Sequence, residues 1–356
     1  MKEHTRVFYE KGRYGGWPAN HGIWKWGNEI LISFIDAEHS GKWENTHSIN
    51  RTGSRYKRFA RSLDGGKTWA IETPDIKQID KGSVYTAGHD NKPDISVLKE
   101  FSGSIDFTAP GFCLYFAQSG TSNTHMSWWC WSDDKGHTWF GPYTVPNLGQ
   151  PSINTRTDYH ILNKDEILVF LTCSKSNGLE GRVLCAKLHS DGRFEFISFI
   201  GGEPEGFEIM PATQRRKDGT WVCLVRIKRY DCGMLRYLIG QYESSDTKEW
   251  KYVMDVTEPR EDKAGNPPAL VAMKNGAWCL CYGNRAVPYG IRCKFSHDEG
   301  RTWGDEKIIR DDAACWDLGY VRMVENEAGQ LVAGYYYNFE EAGECTIEVT
   351  IFDEAL

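Results

Sequence analysis

Long apolar runs and helical periodicity are both missing from this sequence of 356 residues. No stretch approaches the roughly 18 consecutive apolar residues of a membrane-spanning helix. The first residues, MKEHTRVFYEKGRYGG, lack an apolar core of signal-peptide length. These absences predict a soluble chain without a targeting segment, and we expect it to be cytoplasmic and to make no contact with a membrane.

Metal-binding and disulfide patterns are also missing. The eleven cysteines include no C-x-x-C pair, and Cys279 and Cys281, two apart in a predicted strand, share one face. We interpret the cysteines as reduced, mostly buried thiols and predict no metal and no cofactor, although calcium in a carbonyl-lined channel stays open. A formal net charge of −7 argues against nucleic acid as a partner.

The sequence does contain a repeat, S-x-D-x-G-x-T-W, at 62–69, 132–139 and 296–303. Degenerate copies contain Asp191 and Asp246. Within such a turn Asp can accept hydrogen bonds from nearby amides, Gly supplies a positive φ, and Trp packs beneath the chain. Three copies in one chain indicate a repeat architecture, and the intervals of 70, 57, 55 and 52 residues between the aspartates have the size of β-propeller blades.

This repeat resembles the Asp-box, or BNR repeat, of the sialidase (neuraminidase) superfamily. The resemblance implies a six-bladed β-propeller. Because Asp-boxes also occur in propellers that are not sialidases, the repeat specifies fold more strongly than chemistry.

Each blade is predicted to open with a pair of alternating strands, such as IDFTAPGFCLYFAQ at 105–118. The predicted fold class is all-β, a six-bladed β-propeller of four-stranded antiparallel blades in a single domain, 1–356. The predicted blades span approximately 12–72, 80–145, 150–200, 203–255, 260–308 and 312–353, with residues 1–11 as a closing strand.

In an up-and-down blade, the start of the first strand and the end of the second lie on one face. Side chains at those positions are unusually polar for a propeller axis, and buried charge is costly unless it is paired or functional. We expect a carbohydrate pocket there, while a structural ion-pair network lining a channel is the alternative. The candidates are Trp17, His21, Asp36, Asp106, Arg156, Asp158, Glu208, Arg226, Asn266, Arg285, Asp317 and Tyr320.

The resemblance to sialidases implies roles for four of these residues. Tyr320, which opens a strand of the last blade, matches the nucleophilic tyrosine, and Glu208 matches the carboxylate that takes its proton. Arg226 matches an arginine of the triad that binds the substrate carboxylate, and Arg285 or Arg292 is a candidate for another because guanidinium binds carboxylate bidentately.

The sequence also departs from the sialidase pattern. Gly16 stands where the first triad arginine would be, and Asn50 stands where the acid/base aspartate would be. An asparagine cannot donate a proton as a general acid. His47 is a titratable substitute because histidine ordinarily titrates near neutral pH, and Asp36 and His39 are further candidates.

These observations predict an exo-acting glycoside hydrolase, similar to sialidases, that releases a terminal sugar, either an acidic one held by fewer arginines or a neutral one stacked on Trp17, Trp24 or Trp316. The first alternative is a polysaccharide lyase for uronic-acid glycans on the same scaffold, which would rely on His or Tyr as a base. The second is a glycan-binding propeller without catalysis, because a fold hosts many functions.

Overall fold

The structure is a computed structural model. It describes residues 2–41, 47–50, 52–72, 75–77, 98–118, 126–261, 266–339 and 343–356. Within these ranges the regular structure is β-strand apart from a single turn of 3-10 helix, Pro18–Asn20. None of the described segments forms a helix with the length and apolar character needed to cross a bilayer.

The strands form six sheets, and the fold is a six-bladed β-propeller with four-stranded antiparallel blades, which confirms the predicted fold class. The chain divides into two compact units, one built from Met1–Thr73 and Pro259–Leu356 and the other mainly from Lys92–Glu258. Each unit contributes three sheets.

The first unit contains the first strand of the chain, β1 (Lys2–Phe8), which pairs antiparallel with the last strand, β26 (Cys345–Phe352). That sheet is completed by β25 (Leu331–Asn338) and β24 (Gly319–Glu325). A second sheet contains β2 (Arg13–Gly16), β3 (Gly22–Trp26), β4 (Glu29–Glu38), β5 (Arg55–Ser62) and β6 (Ala70–Glu72). The third contains β20 (Ala269–Ala272), β21 (Trp278–Asn284), β22 (Gly290–Ser296) and β23 (Lys307–Arg310).

The second unit has the same plan. Its first sheet contains β7 (Asp75–Lys77), β8 (Cys113–Gln118), β9 (Ser127–Ser132) and β10 (Thr138–Thr144). Its second contains β11 (Ile153–Asn154), β12 (Tyr159–Asn163), β13 (Glu166–Ser174), β14 (Glu180–His189) and β15 (Phe194–Ile200). Its third contains β16 (Phe207–Arg215), β17 (Trp221–Asp231), β18 (Met234–Ser244) and β19 (Lys251–Asp255).

Two sheets have a first strand that is broken in the middle. Both β2 and β3 pair with β4, and both β11 and β12 pair with β13. The first break begins at Trp17, whose φ of 55° is left-handed, and continues through the 3-10 turn Pro18–Asn20. Non-glycine residues adopt this conformation rarely, so the break turns residues 17–21 out of the regular ladder.

Residues 105–110 do not form the strand predicted from IDFTAPGFCLYFAQ. Asp106 Oδ1 instead accepts hydrogen bonds from the N–H and hydroxyl of Thr108, and Pro110 has no N–H to offer a ladder. The second strand predicted from this segment does form, as β8. The sheet reaches four strands because β7 pairs with β10, in parallel.

All eleven cysteines are free, and all except Cys232 and Cys315 are buried, which confirms their interpretation as mostly buried thiols. Cys279, Cys281 and Cys293 lie together in the hydrophobic core of the first unit. Burial raises the pKa of the Cys279 thiol well above its ordinary value, so this residue acts as a core side chain rather than a nucleophile.

Each S-x-D-x-G-x-T-W turn joins a third strand to a fourth, and one hydrogen-bond pattern accounts for its fixed residues. In the first copy Ser62 Oγ accepts from Gly66 N–H over 2.8 Å, and Asp64 accepts from Thr68 N–H and Oγ1 over 2.9 and 2.6 Å. Trp69 Nε1 donates to the Gly66 carbonyl. The other two copies repeat the serine and aspartate bonds, so the repeat is a structural turn.

These turns predict a loss of stability in acid. Burial raises the pKa of Asp298, but hydrogen bonds from Thr302 and Ser296 outweigh it and lower the pKa to about 2, against 3.8 for the free group. Because the folded pKa is the lower one, the stabilisation is complete above about pH 4 and is lost as the pH falls toward 2. Asp298→Asn should flatten the decline of the melting temperature over that window, whereas Asp133→Asn, an exposed neighbour of another turn, should not.

Candidate active site

Several predicted site residues of the first unit gather around one buried carboxylate, that of Asp317. Its Oδ1 accepts hydrogen bonds from His47 Nδ1 and from the Tyr336 hydroxyl, each over 2.7 Å. Its Oδ2 accepts from the Tyr14 hydroxyl over 3.1 Å and from Ser48 N–H over 3.4 Å. The Asp317 cluster is defined as Tyr14, His47, Arg285, Asp317 and Tyr336.

The backbone of Asp317 is held as firmly as its side chain. Its carbonyl accepts a hydrogen bond from Asn338 Nδ2 over 2.6 Å and one from the Cys345 thiol over 3.5 Å. These partners come from β25 and β26, so two strands of one sheet fix the residue just before β24. His47 approaches from the segment between β4 and β5, and its position therefore depends on the Asp317 carboxylate.

The electrostatics of the cluster keep Asp317 ionised. Burial raises the pKa of this carboxyl, but the hydrogen bond and charge of His47, the charge of Arg285 and the hydroxyl of Tyr336 outweigh it, so the pKa lies below its ordinary value. Burial also raises the pKa of Tyr14 and of Tyr336 well above the usual phenol value. Both phenols therefore stay neutral and donate to a charged acceptor.

Because an ionised carboxylate can only accept, His47 Nδ1 must carry the proton in this pair. That leaves Nε2 as the nitrogen for chemistry, and it has no hydrogen-bond partner in the described part of the chain. The His47 side chain is 30% exposed, against 4% for Asp317. The pair thus resembles the carboxylate–imidazole arrangement that orients a catalytic base or acid.

Two half-buried indoles flank the His47 ring. The Trp17 ring centroid lies 4.9 Å from that of His47 in an edge-on arrangement, and the Trp316 centroid lies 5.9 Å away. Aromatic faces of this kind attract polarised C–H groups such as those of a sugar ring. The surface around His47 Nε2 therefore suits a carbohydrate.

Arg285 is a buried cation tied to the cluster. Its Nε and Nη2 donate to the Leu318 carbonyl over 3.2 and 3.1 Å, and Nη2 also donates to the Tyr336 hydroxyl over 2.6 Å. Its Cζ lies 5.2 Å from the Trp316 ring centroid and 5.4 Å from that of Tyr320. Burial lowers the pKa of Arg285, but Tyr336, Tyr320 and Asp317 outweigh it and raise the pKa, so the guanidinium stays charged.

Tyr320 lies in a bulge of β24, where the register shifts between Gly319 and Arg322. Its φ is 50°, a left-handed value that costs about 1–3 kcal/mol for a non-glycine residue. Its ring packs against Tyr336 at a centroid distance of 5.8 Å. Bulges often re-aim a side chain beside an active site, and this one directs Tyr320 toward Arg285.

Gly16 and Asn50, the two departures from the sialidase pattern, have structural explanations. A Cβ atom at Gly16 would lie 2.5 Å from the Tyr14 ring, so the space is needed for the phenol that binds Asp317. Asn50 Nδ2 donates to Glu38 Oε1 over 2.8 Å, and its Oδ1 accepts from Thr52. Asn50 thus stabilises a turn, and His47 is the neighbouring residue that points to the carboxylate.

The other candidates of this unit have separate partners. Asp36, with a side chain only 1% exposed, accepts from Arg13 Nε over 2.6 Å and from Arg58 Nε over 3.2 Å. His21 Nδ1 lies 3.1 Å from the buried Lys57 Nζ. The remaining candidate contacts the same backbone carbonyl as Arg285: Asn266 Nδ2 donates to Leu318 over 3.3 Å.

The second unit holds the other five candidates, and their functional roles remain predictions. Glu208 Oε2 accepts from the Tyr242 hydroxyl over 2.8 Å, and burial raises the pKa of this carboxyl. Arg226 lies over the Phe207 ring, with its Cζ 5.3 Å from the centroid.

The other three are engaged by close neighbours. Arg156 donates to Gln118 Oε1 and to the Thr155 carbonyl, Asp158 Oδ2 accepts from Thr213, and Asp106 forms the turn described above. No three His, Cys, Asp or Glu side chains in the described ranges are arranged to hold a metal ion.

Sequence reasoning did not find the contact between His47 and Asp317, which are 270 positions apart. The sequence predicts Asp317 as a substrate-binding residue, and the structure shows its carboxylate at the Nδ1 edge of the His47 ring, where it accepts hydrogen bonds from four donors. The sequence does not single out Tyr14 and Tyr336, because a tyrosine in an apolar strand cannot be distinguished by pattern from an ordinary core residue. The one available signal in the sequence was Asp317 directly after Trp316, a charged residue next to a large aromatic one.

Comparison with known proteins gives the fold and a set of structural neighbours. A protein of unknown function from Dyadobacter fermentans superimposes with a TM-score of 0.71 at 17% identity, covering 99% of this chain and 98% of that one. An α-L-arabinanase of Penicillium chrysogenum, solved with arabinobiose, superimposes with a TM-score of 0.65 at 13% identity, covering 99% of this chain and 98% of the arabinanase. A sialidase of Streptococcus pneumoniae superimposes with a TM-score of 0.62 at 10% identity, covering 98% of this chain and 70% of the sialidase.

No family model matches the sequence, and no curated protein does. The structural neighbours include glycoside hydrolases on a propeller fold. At these identities the similarity establishes the fold, and any activity must be argued from the residues of this chain.

Proposed function

We propose that this protein is an exo-acting glycoside hydrolase that releases a terminal acidic sugar, with His47 as its proton donor. The observation that carries the proposal is the bond between His47 Nδ1 and the buried Asp317 carboxylate, which leaves Nε2 at a partly exposed surface between two tryptophans. The hydrolase neighbours are consistent with it but do not select a sugar.

In the proposed reaction, protonated His47 gives its Nε2 proton to the glycosidic oxygen as the bond to the sugar breaks. Asp317 stabilises the imidazolium and holds its orientation, so its role is positioning. Tyr320, whose ring centroid lies 5.4 Å from Arg285 Cζ, attacks the cationic sugar carbon as its phenolic proton passes to water, or stabilises that carbon without bonding to it. Water then attacks the sugar carbon and displaces the Tyr320 oxygen, which takes back a proton, while the proton that the water loses returns to His47 Nε2.

A lyase is the second candidate, and a specific observation favours it. Asp317 and Asp36, the two buried carboxylates among the candidates of this unit, are each bound by two or more donors, whereas His47 Nε2 is not. Neutral His47 could remove the proton beside a uronate carboxylate, after which the glycosidic oxygen leaves with its bonding electrons and a C=C bond forms. No water is consumed in that reaction.

The masses of the products distinguish hydrolysis from elimination. Acidic and neutral oligosaccharides are incubated with the protein in water enriched in oxygen-18, and products are identified by mass spectrometry. Incorporation of one labelled oxygen per cleavage means hydrolysis, and unlabelled products that sum to the substrate mean elimination. His47→Ala prepared in parallel controls for contaminating enzymes. Absence of cleavage across the panel would contradict both reactions and favour a glycan-binding protein.

Asp36→Asn is expected to reduce stability without removing activity. The substitution takes a negative charge from between Arg13 and Arg58 and should cost about 1–3 kcal/mol of unfolding free energy. Turnover per folded molecule should remain within about twofold of wild type, because Asp36 is buried and bound. Thermal unfolding and initial rates measure both quantities, and a large loss of turnover in the folded variant would make Asp36 the acid.

Asp317→Asn is expected to impair positioning of His47. The new amide can present N–H to Nδ1 and favour the wrong tautomer, so kcat should fall about tenfold or more. KM should change little, because the Asp317 side chain is 4% exposed and binds Nδ1, on the opposite edge of the ring from the proposed proton donor Nε2. A raised KM with unchanged kcat would instead support direct substrate binding by Asp317.

A further inference from the structure

A groove in the Lys92–Glu258 unit shares no residue with the Asp317 cluster. It has a volume of about 360 Å³. Its floor is formed by Phe101 and Phe194, and its sides by Thr144 and the turn at 191–193. A volume of this size lies at the small end of small-molecule pockets, so it suits one ring-sized group better than a peptide.

The groove is built by a chain segment held at both ends. Thr144 N–H donates to the Lys99 carbonyl over 2.9 Å, and Ile105 N–H donates to the Ser190 carbonyl over 3.0 Å. These bonds fix the segment that carries Phe101 between β10 and the turn that precedes β15. The groove is therefore a fixed feature of the fold in this unit.

The turn packs directly on the Phe101 ring because it contains a glycine. Gly192 has a φ of +85°, and a Cβ atom there would lie 2.6 Å from Phe101 Cδ1. Any other residue would both strain the backbone and displace the ring.

The aromatic floor is supported from below by buried rings. Phe101 and Phe194 both contact Trp129, at centroid distances of 5.5 and 6.3 Å, and Phe101 also meets Tyr143 edge-on at 5.0 Å. Both phenylalanines nevertheless remain half-buried rather than buried. Two rigid aromatic rings with accessible surface form a platform on which a flat apolar face can lie.

The rim of the groove is polar and acidic. It carries the exposed side chains of Glu100, Asp191 and Arg193, a formal charge of −1 from two carboxylates and one guanidinium. Asp191 Oδ1 accepts a hydrogen bond from Arg193 N–H over 3.0 Å, which fixes the orientation of that carboxylate. Carboxylates at a rim accept hydrogen bonds from hydroxyl groups and repel other anions.

We propose that this groove is a second carbohydrate-binding site, selective for a neutral sugar residue. The apolar face of the ring lies on Phe101 and Phe194, and its hydroxyls donate to Asp191 and Glu100. The Arg193 guanidinium lies 4.0 Å from the Glu195 carboxylate, so the two rim carboxylates remain in excess and disfavour a uronic acid or sialic acid at this position. The proposal is independent of the reaction at the Asp317 cluster, because it uses none of those residues.

Saturation-transfer NMR tests the site with xylotriose, arabinotriose and cellotriose as neutral probes and trigalacturonate as the charged one. Wild type should bind at least one neutral probe, and Phe194→Ala should weaken that binding tenfold or more. Phe196→Ala is the matched control, since Phe196 lies on the same strand, is 38% exposed and does not line the groove. The Phe196→Ala variant should bind the neutral probe with the affinity of wild type.

Thr144→Trp provides a second variant that fills the groove and leaves the aromatic floor in place, in case Phe194→Ala fails to fold. Thermal unfolding establishes folding for each variant. Failure of all neutral probes to bind, or undiminished binding in a folded groove variant, would overturn the proposal. Binding lost in Arg285→Ala but retained in Phe194→Ala would also overturn it, by placing the sugar at the Asp317 cluster.

Discussion

Replacing His47 with alanine is expected to lower kcat by about 10²–10⁴, the usual contribution of a positioned general acid or base. The physical reason is the loss of Nε2, the nitrogen that Asp317 leaves available for proton transfer. KM should change less, because Trp17 and Trp316 remain to bind the sugar. Initial rates on the substrate found by mass spectrometry measure the effect.

His39→Ala is the matched control for this experiment. His39 belongs to the same sheet region, and its Nδ1 accepts a hydrogen bond from Gly41 N–H rather than from a catalytic partner. Added imidazole should restore part of the activity of His47→Ala. It should restore no activity to a variant that is inactive because it is unfolded. Full activity in His47→Ala would remove the residue from the reaction.

Tyr320→Phe is expected to abolish measurable turnover, with kcat reduced by about 10³ or more if the phenol oxygen forms the bond to the sugar. Phenylalanine retains the ring, so the contacts with Arg285 and Tyr336 should survive. Oligosaccharide binding and the unfolding temperature should therefore stay close to wild type. The measurement is single-turnover kinetics combined with binding of uncleaved substrate.

Tyr335→Phe controls for the loss of a hydroxyl from the same sheet. The Tyr335 hydroxyl bonds Thr350 Oγ1 over 2.5 Å in the core, so its removal should cost stability and leave kcat unchanged. Retained turnover in Tyr320→Phe would assign the phenol to packing and favour the lyase, in which His47 alone is required. Loss of binding as well as turnover would point to a disturbed pocket.

The fold could be predicted from the sequence because its determinants are local. Each S-x-D-x-G-x-T-W turn is closed by hydrogen bonds within five residues, such as those between Asp64 and Thr68. The sequence pattern therefore predicts the turn wherever it occurs. The failed strand at 105–110 has an equally local cause, since Asp106 forms a turn with Thr108.

The candidate site was predicted only in part because its contacts are distant. His47 and Arg285 were named from residue type, but the carboxylate that organises them depends on how three sheets of one unit meet. Asp36 and Asp317 have the same chemistry in the sequence. Only the structure shows that one is bound by two arginines and that the other receives a histidine and two phenols.

The pairing of β1 with β26 has a consequence for the order of events on the ribosome. Tyr14 and His47 are synthesised about three hundred residues before the strand that carries Cys345, at roughly 5–20 residues per second. Until β26 emerges, β1 lacks its partner strand and Asp317 lacks one of its two backbone anchors. A nascent chain therefore carries an unpaired edge strand and an unoriented histidine for many seconds, and a chaperone would have to shield that edge.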